Sequence, residues 1–132
     1  MGRLPNVCGG IMKAIIITPR PVDGTLGNSI TAQRWADILR TLGHDVTVAG
    51  DWAGEDYDLL IGLHARRSHA TIKRFREAYP ARPAILALTG TDLYRDLPAS
   101  SEARESLSLA TRIVALQEAA REELDIEARA KT

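Results

Sequence analysis

The stretch from Lys13 to Val48 constrains this chain more than any other, because it reads strand, loop, helix, strand. Lys13-Ala14-Ile15-Ile16-Ile17-Thr18 is a short apolar run rich in β-branched residues. It is too short to span a membrane and has the character of a strand buried on both faces. Pro19-Arg20-Pro21 breaks the run, and the loop continues through Asp23-Gly24-Thr25-Leu26-Gly27-Asn28. Asn28 or Ser29 is placed to cap a helix, since a short side-chain oxygen accepts from an unpaired first-turn amide. Ile30, Trp35, Ile38, Leu39 and Leu42 give that helix one apolar side. Gly43 ends it, because glycine takes the left-handed conformation of a helix stop. Asp45-Val46-Thr47-Val48 is the next strand. A glycine-containing loop aimed at a helix N-terminus suits an anion, since free amides and the helix dipole both point outward.

The alternation continues. Ala49 to Tyr57 is an acidic loop, and Asp58 to Leu63 is the third strand. A helix follows with Ile72, Phe75 and Tyr79 on one side, and Pro80 and Pro83 bracket its end. Ala84 to Leu88 is the fourth strand, and Leu93 to Asp96 reads as one helical turn. Ser100 or Ser101 starts a helix to about Ala110. Thr111 to Leu116 is the fifth strand by its β-branched content, although Ala103, Leu107, Ala110 and Val114 also fit helical spacing. Gln117 to Leu124 reads as a short helix before a polar tail. The class is therefore α/β, a Rossmann-like three-layer αβα domain. Its parallel sheet has about five strands, with Lys13–Thr18 central. Ligands of such sheets bind beyond the C-terminal strand ends. The loops Pro19–Asn28, His64–Ser68 and Thr89–Arg95 share that edge.

Lysine plus arginine and aspartate plus glutamate each total 17, so the formal net charge is zero. That balance argues against general nucleic-acid binding, which needs a basic surplus. No apolar run reaches membrane-spanning length. Cys8 is the single cysteine, which rules out an internal disulfide and fits a reducing, cytoplasmic setting. Residues 1–12 read as a flexible leader and 13–132 as one domain.

The first loop is not a dinucleotide fingerprint, because Gly24 and Gly27 do not form G-x-G-x-x-G. It is not a P-loop, because no Gly-Lys-Ser/Thr follows. His64-Ala65-Arg66-Arg67 offers one imidazole and two guanidiniums to an anion, and equally reads as a solvated basic turn. Arg20 and Arg95 on the same edge favour the anion. His44 and His69 lie elsewhere, so no metal site is expected. Thr89-Gly90-Thr91-Asp92 follows a buried strand. Asp92 suits a sugar hydroxyl or proton transfer, or caps the next turn.

These loops carry a family resemblance. Ile17-Thr18-Pro19, Gly27 through Trp35, Leu63-His64-Ala65-Arg66-Arg67-Ser68, Leu86 through Leu97, and Arg112 through Gln117 resemble the N-terminal half of the retaining family-four GT-B glycosyltransferases. Within these, the chain is similar to the selenosugar synthases of selenoneine biosynthesis. The resemblance implies a UDP-N-acetylhexosamine-type nucleotide sugar and selenophosphate as substrates, and no cofactor. It implies catalytic roles for His64 and Asp92. It places Gly27, Asn28, Thr31, Arg66, Arg67, Thr89, Gly90, Thr91 and Arg95 at the substrates. Thr89 stands where a common family phrase has histidine, which leaves its role open. The resemblance also implies a missing C-terminal glycosyltransferase domain that holds most of the donor site, so the chain alone is expected to be inactive. The competing readings are a non-catalytic anion- or nucleotide-sugar-binding module and a truncated orphan fragment.

Overall fold

The computed structural model describes residues 11–18, 27–88, 100–115 and 130–132, with residues 27–29 described as backbone. Five strands and three helices alternate: β1 (Lys13–Ile17), α1 (Gly27–Thr41), β2 (Asp45–Ala49), β3 (Leu59–Leu63), α2 (His69–Ala78), β4 (Ala84–Leu88), α3 (Ser101–Leu109) and β5 (Arg112–Ala115). Every pairing is parallel, in the order β2-β1-β3-β4-β5. This is the Rossmann-like three-layer arrangement expected from the alternation. β1 is interior, but β3 and not β1 is the middle strand. All five residues of β3 are buried, which explains the unbroken run Leu59-Leu60-Ile61-Gly62-Leu63.

The sheet separates two cores. Ala14, Ile16, Val46, Leu59, Ile61, Leu63 and Ala87 pack with Ala32 and Ala36 of α1. Ile15, Ile17, Leu60, Leu86 and Ile113 pack on the other face with Ile72 and Phe75 of α2 and Ala103 and Leu107 of α3. β1, β3 and β4 therefore feed both layers by strict alternation.

The packed stripe of α1 differs from the one expected. Ala32, Trp35, Ala36 and Leu39 face the sheet, whereas Ile30, Ile38 and Leu42 are exposed. Small alanines let the helix lie close to the strands, and the larger isoleucines are left outside. Asn28 and Ser29 also sit inside the helix rather than capping it, because α1 already begins at Gly27.

The other end of α1 closes as its sequence suggests. Gly43 has φ +98°, its N–H donates to Arg40 O at 2.9 Å, and His44 N–H donates to Leu39 O at 3.0 Å. That bond pair is a Schellman stop, and it satisfies two terminal carbonyls. Arg40 Nη2 then reaches the Val46 carbonyl at 2.9 Å.

α3 has a serine cap, Ser100, whose Oγ accepts from the Ala103 N–H at 3.2 Å. At its far end Lys131 Nζ donates to the carbonyls of Leu107, Ser108 and Ala110. β5 is a strand and not a helix, as the alternation required.

The connection from β2 to β3 contains a core residue that reads as loop. Trp52 is buried and packs edge-on against Phe75 at 5.3 Å and against Tyr79 at 6.0 Å. Its indole N–H donates to Glu55 O at 2.7 Å. Asp51 holds the same segment to α2, accepting from Thr71 Oγ1 at 2.8 Å and Arg74 Nη2 at 2.7 Å. The Thr71 hydroxyl, the Trp52 amide and the Arg74 charge hold the Asp51 carboxyl below the usual carboxylate range, against a smaller opposing effect of burial. The turn of helix at Leu93–Asp96, the helix at Gln117–Leu124 and the leader through Gly10 lie outside the described residues.

Candidate functional site

The strand order reverses between β1 and β3, since β2 lies to one side of that pair and β4 and β5 to the other. Ligands of parallel sheets sit at such a reversal, beyond the C-terminal strand ends. The register sets the level of each group there. Ile17 pairs with Gly62, and Leu63 pairs with Ala87. Thr18, His64 and Leu88 therefore come to one edge.

The β3–α2 turn is built around His64. It is buried and has φ 78°, the one described non-glycine residue with a positive φ. That left-handed conformation costs an ordinary residue about 1–2 kcal/mol, and it persists only where surrounding bonds over-determine it. Those bonds are present. The His64 N–H donates to Ala87 O at 3.1 Å, and its carbonyl accepts from Ser68 N–H at 3.0 Å. The buried Ser68 hydroxyl donates to Leu63 O at 2.5 Å instead of capping α2. The Arg67 N–H donates to His64 Nδ1 at 3.2 Å. An accepting Nδ1 carries no proton, so the neutral ring keeps its proton on Nε2.

Two further contacts hold the turn from below. A Cβ added to Gly62 would lie 2.9 Å from Ile72 Cδ1 and 3.2 Å from Ser68 Cβ, so glycine is what lets α2 approach β3. The Ser106 hydroxyl of α3 donates to Ala65 O at 2.6 Å. Beside it, Glu105 meets His69 Nε2 at 2.5 Å and Lys73 Nζ at 3.7 Å. The His69 hydrogen bond, and then the Lys73 charge, hold the Glu105 carboxyl below its ordinary range.

The other element that starts at this edge is α1. It begins at Gly27 with no acidic residue in its first turn, so no carboxylate of its own offsets its positive end. Gly27 and Asn28 belong to that turn, and Thr31 lies half-buried just beyond it. Arg66 is exposed and Arg67 half-buried in the turn that carries His64. The backbone thus brings His64, Arg66, Arg67, Gly27, Asn28 and Thr31 to one edge of the sheet. Thr89, Gly90, Thr91, Asp92, Arg95 and Arg20 lie outside the described residues, although β4, which precedes four of that set directly, ends on the same edge.

Three residues of this edge escape a reading by motif. Ser68 and Ser106 look like ordinary helix polar positions, and both are fully buried hydrogen-bond donors. Thr18 extends β1 by one bond, its N–H donating to Ala49 O at 2.9 Å. Its Oγ1 is buried and has no hydrogen-bond partner among the described residues. A threonine closing an isoleucine run just before proline is the one signal the sequence offers for it.

Among the described residues no group of three or more histidine, cysteine, aspartate or glutamate side chains could hold a metal ion, and no helix is long and apolar enough to cross a membrane. The chain matches no protein-family model and no curated protein.

Proposed function

We propose that this chain is the acceptor-side, N-terminal domain of a nucleotide-sugar glycosyltransferase of the selenosugar synthase type. The observation that supports this reading is the convergence of a buried, oriented imidazole and a helix N-terminus with no acidic residue in its first turn at the order reversal of a parallel sheet. In the proposed reaction selenium of selenophosphate bonds to the anomeric carbon of a UDP-N-acetylhexosamine. The bond from that carbon to the UDP oxygen breaks, UDP leaves, and water takes the phosphoryl group from selenium. His64 Nε2–H donates to the sugar, and Asp92 orients the acceptor. Arg66 and Arg67 draw in the anionic substrates, each contributing on the order of 1 kcal/mol or less because solvent screens them. A second domain supplies most of the donor contacts, and joint positioning of both substrates supplies much of the rate.

The test is UDP release from UDP-N-acetylglucosamine with selenophosphate, by the chain alone and with a C-terminal glycosyltransferase domain added. Release only in the reconstituted pair is expected. Saturable binding of UDP-sugar without turnover in either sample would leave a binding module and remove the enzyme reading.

A further inference from the structure

We infer that the Thr18 hydroxyl is a ligand-contacting group that donates to a phosphoryl oxygen lodged between the end of β1 and the β3–α2 turn. The inference rests on the anion-binding half of the proposed function and not on sugar transfer.

A buried hydroxyl without a partner loses its hydration and gains nothing in return, so native proteins rarely keep one without a use. Thr18 Oγ1 is such a group. Its place is set by rigid structure, because the Thr18 N–H still belongs to the ladder with β2 through Ala49 O. Alternation along β1 puts Ala14 and Ile16 on the α1 face and Ile15 and Ile17 on the other. Thr18 therefore falls on the α1 face, the side on which the first turn of α1 presents its amides. Continuing the Ile17–Gly62 register places Thr18 level with Leu63, one residue before the strained His64. An orphan donor at the end of β1 and a strained backbone at the end of β3 thus stand at the same level of neighbouring strands. A tetrahedral oxyanion accepts several hydrogen bonds at once, so the Thr18 hydroxyl and the first amides of α1 suit it together.

The experiment is an amide NMR titration of the full chain with inorganic phosphate and with UDP, on wild type, Thr18→Val and Thr18→Ser, paired with thermal unfolding. Both probes should shift the Thr18 and His64 amides saturably in wild type. Thr18→Val should melt higher, because a methyl replaces the orphan hydroxyl, yet bind UDP about tenfold more weakly. Thr18→Ser should keep wild-type affinity. The inference is overturned if Thr18→Val binds as tightly as wild type, if it melts lower, or if neither probe shifts Thr18. If the pair reconstituted with a C-terminal glycosyltransferase domain binds UDP-N-acetylglucosamine without releasing UDP, the glycosyltransferase reading falls while the Thr18 contact stands.

Discussion

Ser106 on α3 and Ala65 in the β3–α2 turn are joined by a 2.6 Å hydrogen bond between two fully buried groups. The third layer thereby grips the turn that orients His64. Ser106→Ala removes this buried donor from the Ala65 carbonyl. The expected cost is about 1–3 kcal/mol in urea unfolding. Hydrogen exchange of the 64–68 amides should accelerate more than that of β1, and uniform acceleration would argue against a local grip.

Gly62→Ala tests the approach of α2 to the sheet. The new methyl would press on Ile72 Cδ1 and Ser68 Cβ, for an expected loss of about 1–3 kcal/mol. Ile72→Val in the same chain should recover part of that loss, a positive coupling read from a double-mutant cycle. Strict additivity would mean that the contact is not what the glycine serves.

The left-handed backbone at His64 can be separated from its imidazole. His64→Ala and His64→Gly both remove the acceptor of the Arg67 amide. Only glycine relieves φ 78°. His64→Gly should therefore be more stable than His64→Ala by about 1 kcal/mol, after the greater freedom of glycine in the unfolded chain is counted. Both variants should bind UDP more weakly than wild type. Equal stabilities would show that the turn is not strained.

Acid should weaken the fold through Asp51 and Glu105. Both carboxyls titrate below their ordinary range in the folded chain, so each contributes stability that is fully present above its unfolded value, about 3.9 for aspartate and 4.3 for glutamate. That contribution is lost as pH falls through the lower folded values. Asp51→Asn should cost stability at pH 7, and the gap to wild type should close below about pH 4. A gap that stays constant with pH would assign the Asp51 contribution to packing.

The strand and helix pattern was legible where local chemistry and packing agree. The isoleucines of β1, the stop at Gly43 and the cap at Ser100 all stand where their residue types require. The face of α1 was not legible, because periodicity counts large apolar residues, and Ala32 and Ala36 do the packing while Ile30 and Ile38 stay outside. Trp52 was hidden for a related reason. Its aromatic partners Phe75 and Tyr79 lie more than 20 positions away, and its neighbours are acidic and glycine-rich. At the edge of the sheet, His64 was found because it closes a buried strand. The conformation of His64 and the orphan hydroxyl of Thr18 depend on what three strands and a helix bring around them, and no run of residues encodes that.

The bond from Arg40 to Val46 reaches beyond the helix that carries it. Asp45 and Ala49 bond to the first strand through Met12 and Thr18, so the Val46 carbonyl between them points to the outer rim of the sheet. The Arg40 guanidinium already occupies that oxygen. A strand from another molecule that sought to lengthen the sheet on this side would have to displace an arginine and settle beside its charge. The rim is thus guarded against growth. Loss of the guanidinium would show itself at high protein concentration, in light scattering, before it changed any melting curve.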